Sequence, residues 1–139
     1  MRTLNLWPRE FSPVARRLIA TRSGGVCEGC GVAPAAQVHH RLFKSRLGFG
    51  NPANGLHVCV GAVGGNIDGC HGTAHSGYIG ESVGWSIRSG FDPLLVPVFR
   101  RADSSWWRFD DAGAKEQINP LTAIEYLVLI GSIREGAGR

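Results

Sequence analysis

Apolar residues in this chain come in short runs cut by glycine, proline and charge, a pattern that predicts several small elements. The stretch FSPVARRLIATRSGG reads as a helix with Ser12 as N-cap, Pro13 in the first helical position, and Gly24 and Gly25 as its stop. QVHHRL has the pattern of a strand end, where successive side chains point to opposite faces. GWSIRSGFDPLLVPVFRR and SSWWRFDDAG contain strand-like segments between Pro, Asp and Gly breaks, which predict a small accessory sheet that includes Trp85, Trp106 and Trp107. Adjacent tryptophans can stack on bases, but their commoner use is to fill the space between elements. The last stretch, NPLTAIEYLVLIGSI, predicts a helix capped by Asn119 with Pro120 in its first position. Its apolar residues cover most of its circumference, so it is either buried or an association surface, which leaves both a monomer and a homodimer open.

These elements sum to an α+β chain, and 139 residues of 43% hydrophobic composition can fill one modest core. The expected organisation is a single domain over 1–139, with an N-terminal helix at 12–24, a central unit at 27–80, and accessory strands plus a C-terminal helix at 84–139. No stretch approaches the roughly 20 apolar residues of a membrane span, and MRTLNLWPREFSP lacks the apolar run of a signal peptide. The expected compartment is therefore the cytoplasm, away from membranes, where cysteines bind metal more often than they form disulfides. The formal charge of +4 is uneven: residues 1–91 hold nine Lys/Arg against four Asp/Glu, and residues 92–139 hold six against seven. The positive face thus belongs to the first two thirds, a distribution that by itself is usually no more than solubility.

All four cysteines and all five histidines fall between residues 27 and 75, which points to metal. VCEGCG is a Cys-x2-Cys turn whose small residues let both thiolates face one ion, and Cys59 and Cys70 are the available second pair. The ten residues between that pair, VGAVGGNIDG, are rich in glycine, so the loop can bulge out while its ends converge. Cys27, Cys30, Cys59 and Cys70 are thus expected to hold a structural Zn2+ that contributes folding energy and, with no open position, no chemistry. In CHGTAHSGYIG, His71 and His75 stand at i and i+4 on one face of a short helix, where they can hold a second metal with a third ligand from elsewhere. His39 and His40, adjacent on a strand, do not readily chelate the same ion, so one binds and one acts. His57 is expected to be a packed or surface histidine.

The order Cys-x2-Cys, HH, NGLHVC and CHGTAH over residues 27–75 resembles the HNH endonucleases of the ββα-metal (His-Me finger) type, in the zinc-braced form common among bacteriophage enzymes. The resemblance implies that His39 is a metal ligand, His40 the general base, Asn54 the organiser of the loop, and His71 and His75 the remaining ligands. It implies hydrolysis of DNA phosphodiester bonds to 5′-phosphate and 3′-hydroxyl ends, by nicking or double-strand cleavage, and activity that falls below about pH 6 as His40 becomes protonated. It also implies a phage-encoded protein in the host cytoplasm, linked to terminase or other DNA packaging and processing machinery. The catalytic divalent ion is left open among Mg2+, Mn2+, Ni2+, Co2+ and Zn2+. The loop between Cys59 and Cys70 is longer than the short knuckle of most such proteins.

Thirteen of the fifteen basic residues are arginine, which suits forked phosphate contacts. Arg41, Lys44 and Arg46, in the loop after the histidine pair, are the expected backbone contacts. Arg16, Arg17 and Arg22 on the first helix can also reach a phosphate backbone, although a solvated helix face is their commoner use. No stretch resembles a base-reading helix, so binding should be weakly sequence-selective and salt-dependent. Two other functions fit the same residues: a zinc-braced nucleic-acid-binding module that does not cut, and an adaptor whose C-terminal helix docks a partner.

Overall fold

The computed structural model describes residues 6–61 and 69–134 and combines helices with two small antiparallel sheets, an α+β architecture. Helix α1 (Pro13–Ser23) starts where the Ser12 hydroxyl accepts from the Ala15 N–H at 3.2 Å, and it ends at Gly24 in the left-handed conformation. Its apolar side, Ala15 and Ile19, packs with Phe11 beside Val38.

Strand β1 (Gln37–His40) pairs antiparallel with β2 (Gly55–Val58), setting His39 opposite Leu56 and His40 opposite Gly55. After β2 come α2 (Gly69–Ala74) and α3 (Tyr78–Ser82), two short helices packed on each other. Most of the glycine-rich loop between Cys59 and Cys70 lies outside the described residues. The second sheet holds β3 (Val98–Arg100), β4 (Ser105–Phe109) and β5 (Lys115–Ile118) in that order. Helix α4 (Pro120–Leu129), capped by Asn119, buries Ala123 and Leu127 with Trp106 and leaves Leu121, Ile124 and Leu129 exposed. Among the described residues no helix is long and apolar enough to cross a membrane.

The main core gathers Cys27, Leu56, Val58, Cys70, Ala74, Trp85, Val98 and Phe109. Trp106 and Trp107 lie on β4, but Trp85 belongs to no strand. It follows α3, is fully buried, and donates its indole N–H to the Phe99 carbonyl at 2.8 Å. Its expected place in the accessory sheet is therefore corrected: its ring fills the junction between the two halves of the chain.

Two arginines are also core residues. Arg22 forms a bidentate pair with Glu28, 2.7 Å for each bond, donates to the carbonyls of Pro52 and Gly55, and lies over the Phe109 ring. Arg41 is completely buried and donates to the carbonyls of Gly84, Ala53, Pro93 and Val96. Burial pulls its pKa down to about 9, which leaves it charged at neutral pH. Neither side chain is available to a phosphate, so the expected backbone contact at Arg41 and the solvated helix face expected at Arg22 are corrected to structural roles. The physical reason is that irregular backbone packed inside a small protein must find hydrogen-bond partners, and a guanidinium offers five donors in a fixed fork. Arg41→Met keeps most of the volume and removes these donors. It should cost at least about 3 kcal/mol in urea unfolding with zinc present, whereas a surface phosphate contact would change stability by no more than about 0.5 kcal/mol.

Candidate metal centre

Two turns bring the cysteines together. The Cys30 N–H donates to the Cys27 sulfur and the Cys70 N–H to the Cys59 sulfur, each at 3.4 Å, so that each pair is closed by its own backbone. All four Sγ atoms lie within 4.8 Å of one another, a set that bonds of about 2.3 Å to a central zinc fit inside. The cysteines are not joined in disulfides. A hydrogen bond from Cys70 holds the Cys27 thiol down to about 4, while the same bond pushes Cys70 up and burial raises Cys59. One negative charge is therefore easy to place in the cluster and four are not, unless a divalent cation compensates them. The cluster is compatible with a zinc site.

Gly29, between the first two cysteines, lies against Trp85: an added Cβ would meet the indole ring at 2.9 Å. The same tryptophan reaches the histidines. Its backbone carbonyl sits 2.9 Å from His39 Nε2, and because a carbonyl only accepts, Nε2 carries the proton and Nδ1 keeps a lone pair. Burial first, then the neighbouring imidazole of His75, pushes the His39 pKa down to about 3, so this ring is neutral.

His71 lies in α2, and His75 follows the helix by one residue with its N–H on the Gly72 carbonyl at 3.0 Å. One ring nitrogen from each of His39, His71 and His75 falls within a 4.8 Å set. The three rings run from buried His39 to exposed His75, which leaves the cluster open on one side. Phe43 closes another side, stacked on His75 at 5.1 Å between ring centres and edge-on to His39 at 5.8 Å.

His40 occupies the other face of β1, as alternation on a strand requires. Its ring packs on Phe11 with centres 4.2 Å apart, and Nε2 lies 2.7 Å from the Arg9 carbonyl. The proton is again on Nε2, leaving Nδ1 able to accept one. Burial lowers the His40 pKa, and the Arg9 carbonyl and Glu10 partly oppose that shift. His39, His40, Phe43, Lys44, His71 and His75 border one cleft of about 200 Å³.

Asn54 stands behind this cleft, fully buried. Its side chain accepts from the Leu42 N–H at 2.6 Å and donates to the carbonyls of Leu42 and Phe49, so one residue pins both ends of the loop that carries Phe43 and Lys44. The N-terminal segment closes over that loop at Gly50, where an added Cβ would meet the Glu10 carbonyl at 2.2 Å. Lys44 pairs with Glu10, and Arg46 lies over Phe43 and donates to the Ile87 carbonyl. His57 is half-buried, with Nδ1 2.7 Å from the Ser23 hydroxyl.

Compared with protein-family models, curated proteins and solved structures, the chain matches none. The structure thus brings together the four cysteines, and His39 with His71 and His75, and it sets His40 and Lys44 on the same cleft. Trp85, Phe43 and the Arg9 carbonyl, which hold His39, His75 and His40 in turn, carry no signal of that role in residue spacing.

The purified protein should contain one tightly held zinc per chain, measured by elemental analysis. Cys70→Ser should lose it, and stripping the ion with a chelator should abolish the cooperative thermal transition followed by circular dichroism, as expected where ion binding supplies about 10 kcal/mol of folding energy.

Proposed function

We propose that the protein is a metal-dependent DNA endonuclease of the HNH kind, hydrolysing phosphodiester bonds to leave 5′-phosphate and 3′-hydroxyl ends. One observation carries this: His39, His71 and His75 share a set that one ion can fill, and His40, with a free lone pair, borders the same cleft. The order of β1, β2 and α2 supports it, since the strand pair carries the two adjacent histidines and the helix after it carries His71.

A phosphodiester resists attack because its anionic oxygens repel the nucleophile. His39, His71 and His75 would hold a divalent ion, which would supply positive charge to the phosphate and to the departing 3′-oxygen. Magnesium, manganese, nickel, cobalt and zinc all fall within the chemistry of three imidazoles with open positions. His40 takes the proton of the attacking water at Nδ1, while the Arg9 carbonyl holds the ring through Nε2 and Phe11 fixes its plane. Lys44 adds a cation at the edge of the cleft, and Asn54 keeps the loop in place. The cysteine cluster, with four thiolates and no open position, braces the fold.

Incubation of supercoiled plasmid with the protein and magnesium, manganese, nickel, cobalt or zinc should give open-circular or linear product, and the same gel separates nicking from double-strand cleavage. His40→Ala, folded and zinc-replete, should lose at least about 100-fold in rate. If both proteins bind DNA and neither cuts with any ion, a binding module without catalysis replaces the nuclease. Because burial lowers the His40 pKa, the neutral base persists below the ordinary imidazole value. Cleavage at saturating metal should then be level above pH 7 and fall only below the ordinary imidazole value of about 6.5.

A further inference from the structure

The basic residues near the histidine cleft are mostly committed elsewhere. Arg22 and Arg41 are buried on carbonyls, and Lys44 is paired with Glu10. Arg46 and Arg88 differ. Both border a second cleft, of about 460 Å³, together with Glu81 and Ser89. Each is tethered through a single N–H, Arg46 to the Ile87 carbonyl at 2.8 Å and Arg88 to the Gly131 carbonyl at 3.2 Å, and their side chains are 31% and 49% exposed. Glu81 lies 4.0 Å from Arg46 and 3.8 Å from Arg88, beyond hydrogen-bond length from both. One carboxylate thus steadies two guanidinium groups and neutralises only one of them.

This second cleft adjoins the first through one aromatic ring. The Arg46 guanidinium lies 4.6 Å from the centre of Phe43, whose ring stacks on His75. A guanidinium held over a ring, with one N–H on the Ile87 carbonyl, keeps further N–H groups that can meet phosphate oxygens. Successive phosphates on one strand advance about 3.4 Å along the duplex axis, so a separation of one ring corresponds to a few nucleotides.

We propose that the Arg46–Arg88 cleft is a subsite for the DNA backbone, seating a phosphate a few nucleotides from the one at the histidine centre. The identity of the ligand rests on the nuclease function proposed above. The subsite also replaces Arg41 with Arg88 among the backbone contacts. Binding of a fluorescently labelled duplex by the zinc-containing protein, without added catalytic ion and over a range of salt concentrations, tests it by anisotropy. Arg46→Ala and Arg88→Ala should each weaken binding roughly tenfold at moderate salt and lower the slope of log K against log salt by about 0.9, the value for one phosphate contact. Lys115→Ala, an equal loss of charge at an exposed position of β5, should change the slope by much less. The variants' urea midpoints, matched to wild type, exclude unfolding as the cause.

Plasmid cleavage by the same wild-type preparation separates the two ideas. Cutting by wild type, with Arg46→Ala and Arg88→Ala binding at wild-type affinity and slope, overturns the subsite and leaves the nuclease standing. Binding that weakens as expected, without cleavage by any ion, supports the subsite and removes the nuclease. Wild-type protein that binds no duplex at any salt overturns the subsite, and it overturns the nuclease as well when no ion supports plasmid cleavage.

Discussion

A helix of six residues forms too few hydrogen bonds to offset its own ordering in water, so α2 lies where its neighbours put it. Cys70 is its second residue, and the convergence of that sulfur with Cys27, Cys30 and Cys59 fixes the start of the helix against the end of β2. The His71 N–H then donates to the Cys59 carbonyl at 3.1 Å, continuing the attachment by one residue. His71 and His75 can face His39 only because of this anchorage. The histidine set is in that sense built on the cysteine set, and each element around it is short enough to need the same support.

A second constraint comes from backbone that is buried without regular pairing. Parts of the segments 41–54 and 83–97, namely residues 51–54, 84–87 and 96–97, are buried, and their carbonyls need donors. Arg22 and Arg41 supply them. Arg22 has Glu28 to balance its charge, and the Glu28 carboxylate in turn accepts from the His57 N–H at 2.8 Å, which locks α1 to β2. Arg41 balances its charge with carbonyl dipoles instead. From the other half of the chain, Asp111 accepts from the Asn51 side chain and the Ala53 N–H, so the turn before Asn54 is held from outside the strand pair as well.

Local signals in the sequence translated directly into structure. Ser12, Pro13 and Gly24 mark α1 because capping and a left-handed stop act within a few residues. Asn119 and Pro120 mark α4 in the same way. The cysteine pairs were legible because a four-thiolate set has few other uses, and the i and i+4 spacing of His71 and His75 because a helix turn brings such residues together. The roles of arginines were not legible. Residue type tells that Arg41 carries charge, but its fate depends on carbonyls from residues 53 to 96, which no local pattern records. Strand alternation gave a partial hint, since Arg41 stands two residues after buried His39 and so begins on the same face. Trp85 was misplaced for a similar reason: its partners, Gly29, His39 and Phe99, are each distant in the chain.

The contact between Gly29 and Trp85 gives the small residue in VCEGCG a meaning beyond turn geometry. Any side chain there would push against an indole whose own carbonyl orients His39. Tolerance to substitution inside the first cysteine turn is therefore set by the tryptophan whose carbonyl also orients a histidine ten residues further on, in a different element and with a different chemistry. A change at that one position would press on the indole and on the Cβ of Cys70, 3.2 Å from the added atom, and so disturb an imidazole and a cysteine of the cluster together.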